Sequence, residues 1–430
     1  AEDLRDAWVL YTAEDRVLAF ASLPRAEAEE FFLGLSAREQ AELTLALPPN
    51  ERRSWIRLLP PDDAADLIQE APPEEREGLV ALLDHQTLKE VSALLAYAED
   101  EAGGLMNPRF ARVRPDMTVD EAISYLKRQA RGHVETIYYA YALDEQQRLV
   151  GVVTFRDLFA ASPDKRVKDV MNADVISVTD DMDQEAVSRF FKDHDLAAIP
   201  VVDREGRMKG IVTVDDIVDV VEEEATEDAH KFGGMEALEA PYLNVGVLPM
   251  VRKRAGWLSA LFVGEMLTTT AMAFYEEEIA QAVVLATFLP LIISSGGNSG
   301  SQASTLVIRA MALGEVRLRD WWRVMRRELA AGVMLGTTLG VIGFARVVLW
   351  EKVGHVYGEH YLGVAATVAA SLLGVVLLGT LAGSLLPFVL RRAGLDPASA
   401  SAPFVATLVD VAGVLIYFSA ASAILTGSLL

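Results

Sequence analysis

Residues 403–418 read PFVATLVDVAGVLIYF, an apolar run whose single charged side chain is Asp410. With its flanks the run extends over 403–427, and roughly twenty apolar residues are enough for a helix to cross the hydrocarbon core of a bilayer. Four earlier runs have a suitable length and composition: they lie near 255–275, 279–297, 329–350 and 362–389. The sequence therefore predicts a multidomain protein that ends in an all-α transmembrane domain with five helices over residues 253–430.

The charged residues are concentrated before these apolar runs. Residues 1–254 contain 51 Asp and Glu against 29 Lys and Arg, a net charge of -22, whereas residues 255–430 contain 11 against 10, a net charge of -1. This division excludes a compact water-soluble enzyme of ordinary composition, and the acidity argues against nucleic acid as a partner and favours metal cations. The chain has no cysteine, which excludes thiolate zinc sites, iron–sulfur clusters and disulfides. The opening residues AEDLRDAWVL lack a long apolar stretch, so we expect no signal peptide.

Basic residues alternate with acidic ones between the apolar runs. Residues 252–254 are all basic, six arginines lie within 309–327, and two more occupy 391–392. The remaining connections, 276–278 and 351–360, are mainly acidic. Because Lys and Arg are retained on the cytoplasmic side, we predict a multi-pass protein of the cell (inner) membrane with cytoplasmic N-terminal domains and an external C-terminus.

The first 105 residues have the periodicity of short helices. Apolar residues recur three or four positions apart in segments such as EAEEFFLGL (27–35), and proline pairs separate the segments at 48–49, 60–61 and 72–73. We predict an all-α superhelical N domain over residues 1–105, built from stacked helices.

Residues 106–226 contain an internal repeat. The stretch LVGVVTFRD (149–157) corresponds to MKGIVTVDD (208–216), and each copy reads helix, strand, turn, strand, helix. These two copies, 106–167 and 168–226, resemble a tandem pair of α/β cystathionine-β-synthase (CBS) domains. The resemblance implies a regulatory unit that often binds nucleotides.

A hydroxyl and a carboxylate close the same turn in both copies. The pairs are Thr154 with Asp157 and Thr213 with Asp216. Such a pair can reach a ribose, but a Thr and an Asp at this turn can equally cap the following helix. The residues alone leave both functions open.

Asp410 is the strongest candidate for a functional group within the apolar half. An unpaired charge at this depth costs a few kcal/mol, so it is tolerated where it faces water or a counter-ion. Its neighbours at helical spacing, Ala406, Thr407 and Gly413, are small and could line a hydrated lumen; the alternative is a packing hydrogen bond to a neighbouring helix. Glu265 in the first run is a weaker second candidate.

A second polar stretch, LPLIISSGGNSGSQ (289–302), lies at the end of the second predicted span. Its glycines permit either close helix contact or exposed carbonyls, while Asn298, Ser301 and Gln302 supply uncharged oxygens. Mg2+ prefers oxygen ligands and gives up its water reluctantly, which suits one carboxylate beside carbonyl groups. Since one Asp is too few for a dehydrated ion, a homodimer that supplies a second carboxylate is the simplest assembly.

Four stretches carry a resemblance to a known family: DEAGGLMNP (100–108), EDAHK (227–231), GGNSGSQ (296–302) and PFVATLVD (403–410). In this order they resemble the MgtE family of magnesium channels over essentially the whole chain. The resemblance implies import of Mg2+ down its electrochemical gradient, with Asp410 holding the hydrated ion and Asn298 close to it in a pore on the dimer axis. It also implies a connecting helix over 227–252.

The same resemblance implies that Mg2+ is both substrate and regulator, and that high cytosolic Mg2+ closes the channel. Implied ligands in the N domain are Glu30, Asp62 and Asp66, which would face Asp195, Asp216 and Asp219 in the CBS domains. Further implied ligands are Asp183 and Glu185, and, near the membrane, Glu224, Glu227 and Asp396. ATP would bind between the repeats, with Tyr139 on the base and Arg156 and Asp157 near the ribose and phosphates.

Three other classes of protein fit less well. A CBS-regulated anion channel is disfavoured because the pore candidate is Asp410 and no buried Lys or Arg is expected to line the spans. No P-loop, HExxH or GxSxG sequence occurs, so we do not expect an enzyme. A nucleotide sensor with a membrane anchor predicts that replacing Asp410 leaves function intact.

Overall fold

The computed structural model describes residues 2–8, 11–131, 134–136, 138–238, 242–243 and 245–426. The chain divides into two compact units, Ala1–Glu222 and Glu223–Leu430. The first unit contains the predicted N domain and the repeats, and the second contains the apolar helices.

The N-terminal residues of the first unit form short helices, as predicted. These are α1 (Glu2–Ala7), α2 (Ala13–Ala21), α3 (Arg25–Leu33), α4 (Ala37–Ala46), α5 (Pro49–Ile56), α6 (Pro61–Glu70), α7 (Pro73–Val80), α8 (His85–Leu94) and α9 (Ala102–Leu105). The proline pairs set three of the starts: the first proline is the N-cap and the second is the first helical residue, where its missing N–H has no partner to lose. Helix α4 packs on α2 and α6, and α6 packs on α8, which is the stacking expected of a helical solenoid.

The core of these helices continues into the second repeat. Phe32 and Ile56 are fully buried in one cluster that also contains Ile199 of the repeat. The backbone joins the same parts, because the amide of Ala102 donates to Met182 O (2.7 Å) and that of Gly103 donates to Asp180 O (2.9 Å). The core of the N-terminal helices is therefore shared with the second copy.

The two repeats have matching topology, with one strand more than predicted in each. The first copy contains β1 (Arg112–Val113), α10 (Val119–Gln129), β2 (Tyr139–Leu143), β3 (Leu149–Thr154) and α11 (Phe155–Ala160). The second contains β4 (Val178–Thr179), α12 (Gln184–His194), β5 (Ala198–Val202), β6 (Met208–Thr213) and α13 (Val214–Phe232). In both sheets the first strand pairs parallel with the second and the second pairs antiparallel with the third, with an irregularity at the equivalent position. The internal repeat of the sequence is thus a structural repeat.

The second unit consists of helices. They are α14 (Val247–Phe274), α15 (Glu276–Gln281), α16 (Val283–Ala286), α17 (Leu289–Ala312), α18 (Trp321–Gly354), α19 (Tyr361–Arg392) and α20 (Ala402–Leu425). Among the described residues, 5 segments are long and apolar enough to cross a membrane: Val247–Phe274, Val283–Ala312, Leu318–Gly354, Tyr361–Arg392 and Ala402–Leu425.

The second predicted span, 279–297, is wrong in its position. Helix α17 continues to Ala312, so the Gly- and Ser-rich stretch lies inside the helix rather than at its end. The reason is close packing: a Cβ on Gly383 of α19 would clash with the carbonyl oxygen of Gly300, and one on Gly379 would clash with that of Gly296. Small residues spaced four apart let the two backbones approach, which offsets their low helix propensity. The glycines serve helix contact.

The single connecting helix predicted over 227–252 is also wrong. Helix α13 runs without interruption from the second repeat to Phe232, and α14 begins only at Val247. Gly234 lies between them with a positive φ of 71°, a conformation that suits glycine and ends the helix. Residues 239–241 and 244 of this junction lie outside the described residues.

Candidate ion and nucleotide sites

Asp410 lies on α20 beside α14, and it is half-buried. Its carboxyl group lies close enough to that of Glu265 on α14 for the two groups to interact electrostatically. Helices α14 and α20 approach closely beside these two residues. A Cβ added to Gly264, which precedes Glu265 on α14, would lie 2.8 Å from Thr407 Cγ2 on α20. The structure therefore joins the two acidic side chains that occur within the apolar runs of the first and last spans.

Asn298 lies on α17 and is exposed in the single chain. Its neighbour Gly297 packs on α20, where its added Cβ would be 3.5 Å from Ala406 Cβ. Ala406 precedes Asp410 by one turn, about 6 Å along the axis of α20. Ser301 donates to the carbonyl oxygen of Ala402 (3.4 Å).

Glu227 and Asp396 are brought together by a lysine. Lys231 Nζ lies 2.6 Å from Glu227 Oε1 and 2.7 Å from Asp396 Oδ2. Partial burial lowers the pKa of Lys231, but its hydrogen bonds to Asp396 and Glu227 outweigh this effect and raise the pKa above its usual range. Glu224 lies on the same helix, α13, three residues before Glu227. An ammonium group thus occupies the space between two of the three carboxylates implied as ligands here.

Asp62 is the centre of a carboxylate cluster in the first unit. It is only 6% exposed, near the N-terminus of α6. The fully buried Asn107 donates through Nδ2 to Asp62 Oδ1 (3.1 Å) and to Glu135 Oε2 (2.7 Å). Burial, followed by repulsion from Asp63, Asp216 and Glu135, raises the pKa of Asp62 well above its ordinary value.

The same cluster continues onto α13. Burial raises the pKa of Asp216 to about 6 even though Thr213 donates to it through its hydroxyl (2.6 Å) and its backbone amide (3.1 Å). Burial and then repulsion from Glu135, Asp215 and Asp219 raise the pKa of Asp63 to about 6. Partial burial and repulsion from Glu222 and Asp215 raise the pKa of Asp219 in turn. Carboxylates from three separate segments therefore repel one another in a partly dry site.

Three of the other implied ligands, all on or beside α12, have local roles in the structure. Asp183 caps α12 by accepting from the amides of Glu185 (3.0 Å) and Ala186 (3.2 Å), and Glu185 pairs with Arg189. Asp195 ends α12 in the left-handed conformation with φ 50°. The remaining two lie on the helices of the N domain: Glu30 on α3 and Asp66 on α6, one turn after Asp62. Within the described residues, no group of three or more His, Asp or Glu is arranged to hold a metal ion.

Tyr139 and the Thr154–Asp157 turn meet at one edge of the first repeat. Tyr139 lies opposite Thr154 in the antiparallel pair of β2 and β3. Asp157 Oδ2 accepts from the hydroxyl (2.5 Å) and the amide (3.3 Å) of Thr154, and Asp157 N donates back to the hydroxyl. The N-cap function left open by the sequence is thus present in this conformation. Arg156 and Asp157 are both exposed beside the tyrosine, which suits contact with a sugar and phosphates.

Comparison with known proteins matches this architecture. The family profile of the MgtE divalent cation transporters matches residues 289–420, that of the MgtE intracellular N domain matches 1–100, and that of the CBS domain matches 102–164 and 167–223. The magnesium transporter MgtE of Thermus thermophilus is 44% identical over 344 residues, which are 80% of this chain and 74% of that protein. The chain belongs to the MgtE family.

A second relative agrees with this membership. The magnesium transporter MgtE of Bacillus subtilis is 34% identical over 335 residues, covering 78% of this chain and 72% of that protein. A crystal structure of the cytosolic domain of the Mg2+ channel MgtE in complex with ATP is 46% identical, covers 51% of this chain and 89% of that chain, and has a TM-score of 0.48. The inosine-5'-monophosphate dehydrogenase of Aquifex aeolicus matches over only 149 residues, 33% of this chain.

Family membership confirms several predictions. The fold class is an all-α N-terminal domain, an α/β CBS pair and an all-α membrane domain, in a multi-pass protein that is not an enzyme. The similarity to a dehydrogenase is confined to part of the chain and reflects the CBS repeats.

Sequence reasoning missed several members of the carboxylate cluster, including Asp215, which repels Asp63 and Asp219. Asp63 and Glu135 join it through repulsion, and Asn107 joins it through its amide. The adjacent acids Asp62 and Asp63 gave no specific signal, because adjacent acids also begin α2, α7 and α10.

Proposed function

We propose that this MgtE family member transports Mg2+ as a homodimeric channel that imports the ion down its electrochemical gradient. The observation that carries the proposal is that α14 packs on α20 and brings the carboxyl groups of Glu265 and Asp410 close enough to repel each other. Two carboxylates that lie close together in a poorly solvated environment stay ionised only with a positive charge between or beside them. A hydrated divalent cation supplies that charge and keeps its own water as the bridge to the oxygens.

The position of the candidate pore groups supports a dimer. Asn298 and Glu265 are exposed and Asp410 is half-exposed in the single chain. A polar strip on an apolar helical unit is stable in a bilayer when a second copy covers it and water fills the gap between the copies. A twofold axis along this strip would double the carboxylates around one passage.

The pore assignment is tested by Mg2+ uptake into proteoliposomes. Asp410→Asn removes one charge with little change in volume, and Glu315→Gln, an exposed acid between α17 and α18, is the matched control. We expect the pore variant to lose at least tenfold in initial uptake while the control retains the wild-type rate. Wild-type uptake by Asp410→Asn would reject the pore and favour a membrane-anchored sensor.

The dimer axis is tested by cross-linking, which the absence of cysteine makes simple. Asn298→Cys should form a disulfide-linked dimer on mild oxidation in the membrane. Met334→Cys is the control, because Met334 on α18 is 71% exposed on another helix. Cross-linking at Met334 but not at Asn298 would place the axis elsewhere.

The proposal includes regulation by cytosolic Mg2+ through the first unit. A cation that binds between clustered carboxylates relieves their mutual repulsion. If the cation binds one arrangement of the domains more tightly than another, it shifts the population towards that arrangement. Asp62, Asp216 and their neighbours supply this chemistry, and the other implied ligands in the first unit, Glu30, Asp66, Asp183, Glu185, Asp195 and Asp219, stay predictions. Asp216→Asn should make uptake less sensitive to Mg2+ on the cytosolic face. Inhibition identical to that of wild type would exclude the cluster as the sensor.

We also propose that ATP binds at the Tyr139 edge of the first repeat. An aromatic ring, a guanidinium and a carboxylate at one strand end suit a base, phosphates and a ribose respectively. The matched pair of variants is Tyr139→Ala and Tyr138→Ala, since Tyr138 is the adjacent tyrosine and is 71% exposed. ATP affinity should fall only in Tyr139→Ala; an equal loss, or none, in both variants would reject this site.

A further inference from the structure

A basic surface cavity of about 540 Å³, open to solvent, lies at the N-terminal end of α18. Its lining consists of four arginines, one acid and one tryptophan: Arg319, Asp320, Trp322, Arg323, Arg326 and Arg327. The arginines are exposed, and the apolar part of the third membrane span follows directly from Leu329. The cavity therefore lies where the helix leaves the bilayer.

The local sequence explains how one face of the helix acquires this lining. A short 3-10 turn, Leu318–Asp320, leads into the helix, and Asp320 fixes it by accepting from the Arg317 amide (3.1 Å). From Arg319 within the turn into the helix, the side chains at 319, 322, 323 and 326 follow one another at intervals of three, one and three. This spacing directs them to the same side of a helix.

The positive charge of the cavity exceeds its negative charge. Arg323 is 86% exposed, and its ion pair with Asp320 is long, at 3.6 Å. Arg327 interacts electrostatically with Glu328, which immediately follows it. Four guanidinium groups thus share a small volume with one lining carboxylate. Their mutual repulsion is relieved by an anion, and guanidinium groups hold phosphate through paired N–H donors.

Tryptophans place the cavity at the depth of lipid headgroups. Trp321 and Trp322 are 48% and 52% exposed, and their rings meet edge to face at 5.6 Å. Exposed tryptophans at the end of a span belong to the interfacial belt, and clustered arginines beside them attract anionic lipids of the cytoplasmic leaflet.

We propose that this cavity binds the phosphate of an anionic phospholipid in the cytoplasmic leaflet. The guanidinium groups of Arg319, Arg323, Arg326 and Arg327 hold the phosphate, and Trp322 lies against the glycerol region. Free phosphate offers the same charge, but it lacks the acyl chains that the adjacent apolar surface of α18 would hold in place.

The test is native mass spectrometry of the full chain, purified in detergent and titrated with phosphatidylglycerol or phosphatidylcholine. The cavity variant is Arg323→Gln with Arg327→Gln. The control is Arg391→Gln with Arg392→Gln, an equal loss of charge at the end of α19 outside the cavity lining. Wild type should retain phosphatidylglycerol at least tenfold better than phosphatidylcholine, and only the cavity variant should lose this preference. Size-exclusion and circular dichroism profiles matching wild type would show that the cavity variant is folded.

Three results would overturn the proposal. Equal retention of the two lipids would show that the cavity does not recognise negative charge. Equal loss in the cavity variant and the control variant would assign the preference to general surface charge. Displacement of phosphatidylglycerol by millimolar inorganic phosphate would show that the cavity recognises a free phosphate and not a lipid.

Discussion

Replacing Asp63 by asparagine should stabilise the first unit in the absence of Mg2+. Asp63 is the third residue of α6, and its carboxylate is repelled by Glu135, Asp215 and Asp219 in a partly buried setting. Removing a surface charge from a folded domain usually has a small effect on its stability. Here the charge is unfavourable in the folded state, so the sign of the effect is opposite to that of an ordinary helix N-terminal acid.

The magnitude follows from the pKa. A rise from 3.8 to about 6 means that the folded state binds a proton more tightly than the unfolded state, so stability falls as the pH rises from about 4 to about 6 and stays lower above that. One pKa unit corresponds to about 1.4 kcal/mol, so the ionised carboxylate costs up to about 3 kcal/mol at pH 7. Asparagine removes that cost but loses about 0.3–1 kcal/mol of attraction to the helix N-terminus. A net gain of about 1–3 kcal/mol is expected.

Hydrogen exchange of the full chain measures this gain within α6. At pH 7 without Mg2+, the amides of α6 should exchange about 5 to 150 times more slowly in Asp63→Asn, because about 1.4 kcal/mol is tenfold in the opening equilibrium. Asp84→Asn is the control: hydrogen bonds from Thr87 lower the pKa of Asp84 to about 2, so its charge is favourable and exchange in α8 should not slow. Unchanged or faster exchange of α6 in Asp63→Asn would refute the reasoning.

Two further predictions concern the second unit. Gly383→Ala should lower the yield of folded protein in size-exclusion chromatography, since the new Cβ meets the Gly300 carbonyl and overpacking of this kind costs about 1–3 kcal/mol. The control is Gly256→Ala, which should fold like wild type because nothing lies within 4 Å of a Cβ at that position. Lys231→Met should lower the Mg2+ concentration for half-maximal thermal stabilisation about tenfold, because Asp396 and its neighbouring carboxylate lose a charged hydrogen bond of about 1.5–3 kcal/mol. An unchanged Mg2+ titration would show that the ammonium does not compete with the ion.

The features predictable from the sequence are those set by long, uniform patterns. Long apolar runs predicted the number of spans, and a repeated strand and turn predicted the paired α/β domains. The second span was misplaced because Gly and Ser weaken the local helix signal. The contact that restores the helix, between Gly300 and Gly383, joins residues far apart in the chain.

The candidate sites were predictable only in part, for a related reason. Asp410 stands out because a carboxylate is rare in an apolar run, and the same reasoning applied to Glu265 with less force. That the two side chains meet depends on the packing of α14 against α20. Asn107 and Glu135 carry no local signal at all, since their role arises from the hydrogen bonds that Asn107 makes to two distant carboxylates.

The implied regulatory acids already have internal partners. Asn107 donates to Asp62, Thr213 donates to Asp216, and Lys231 donates to Asp396. A cation that binds these acids must replace or reorganise such donors, so its net affinity is the difference between two favourable arrangements and is lower than the charge of the cluster suggests. A threshold set in this way suits a sensor of an abundant ion. It also predicts that weakening an internal donor lowers the Mg2+ concentration for response, whereas removing a carboxylate raises it.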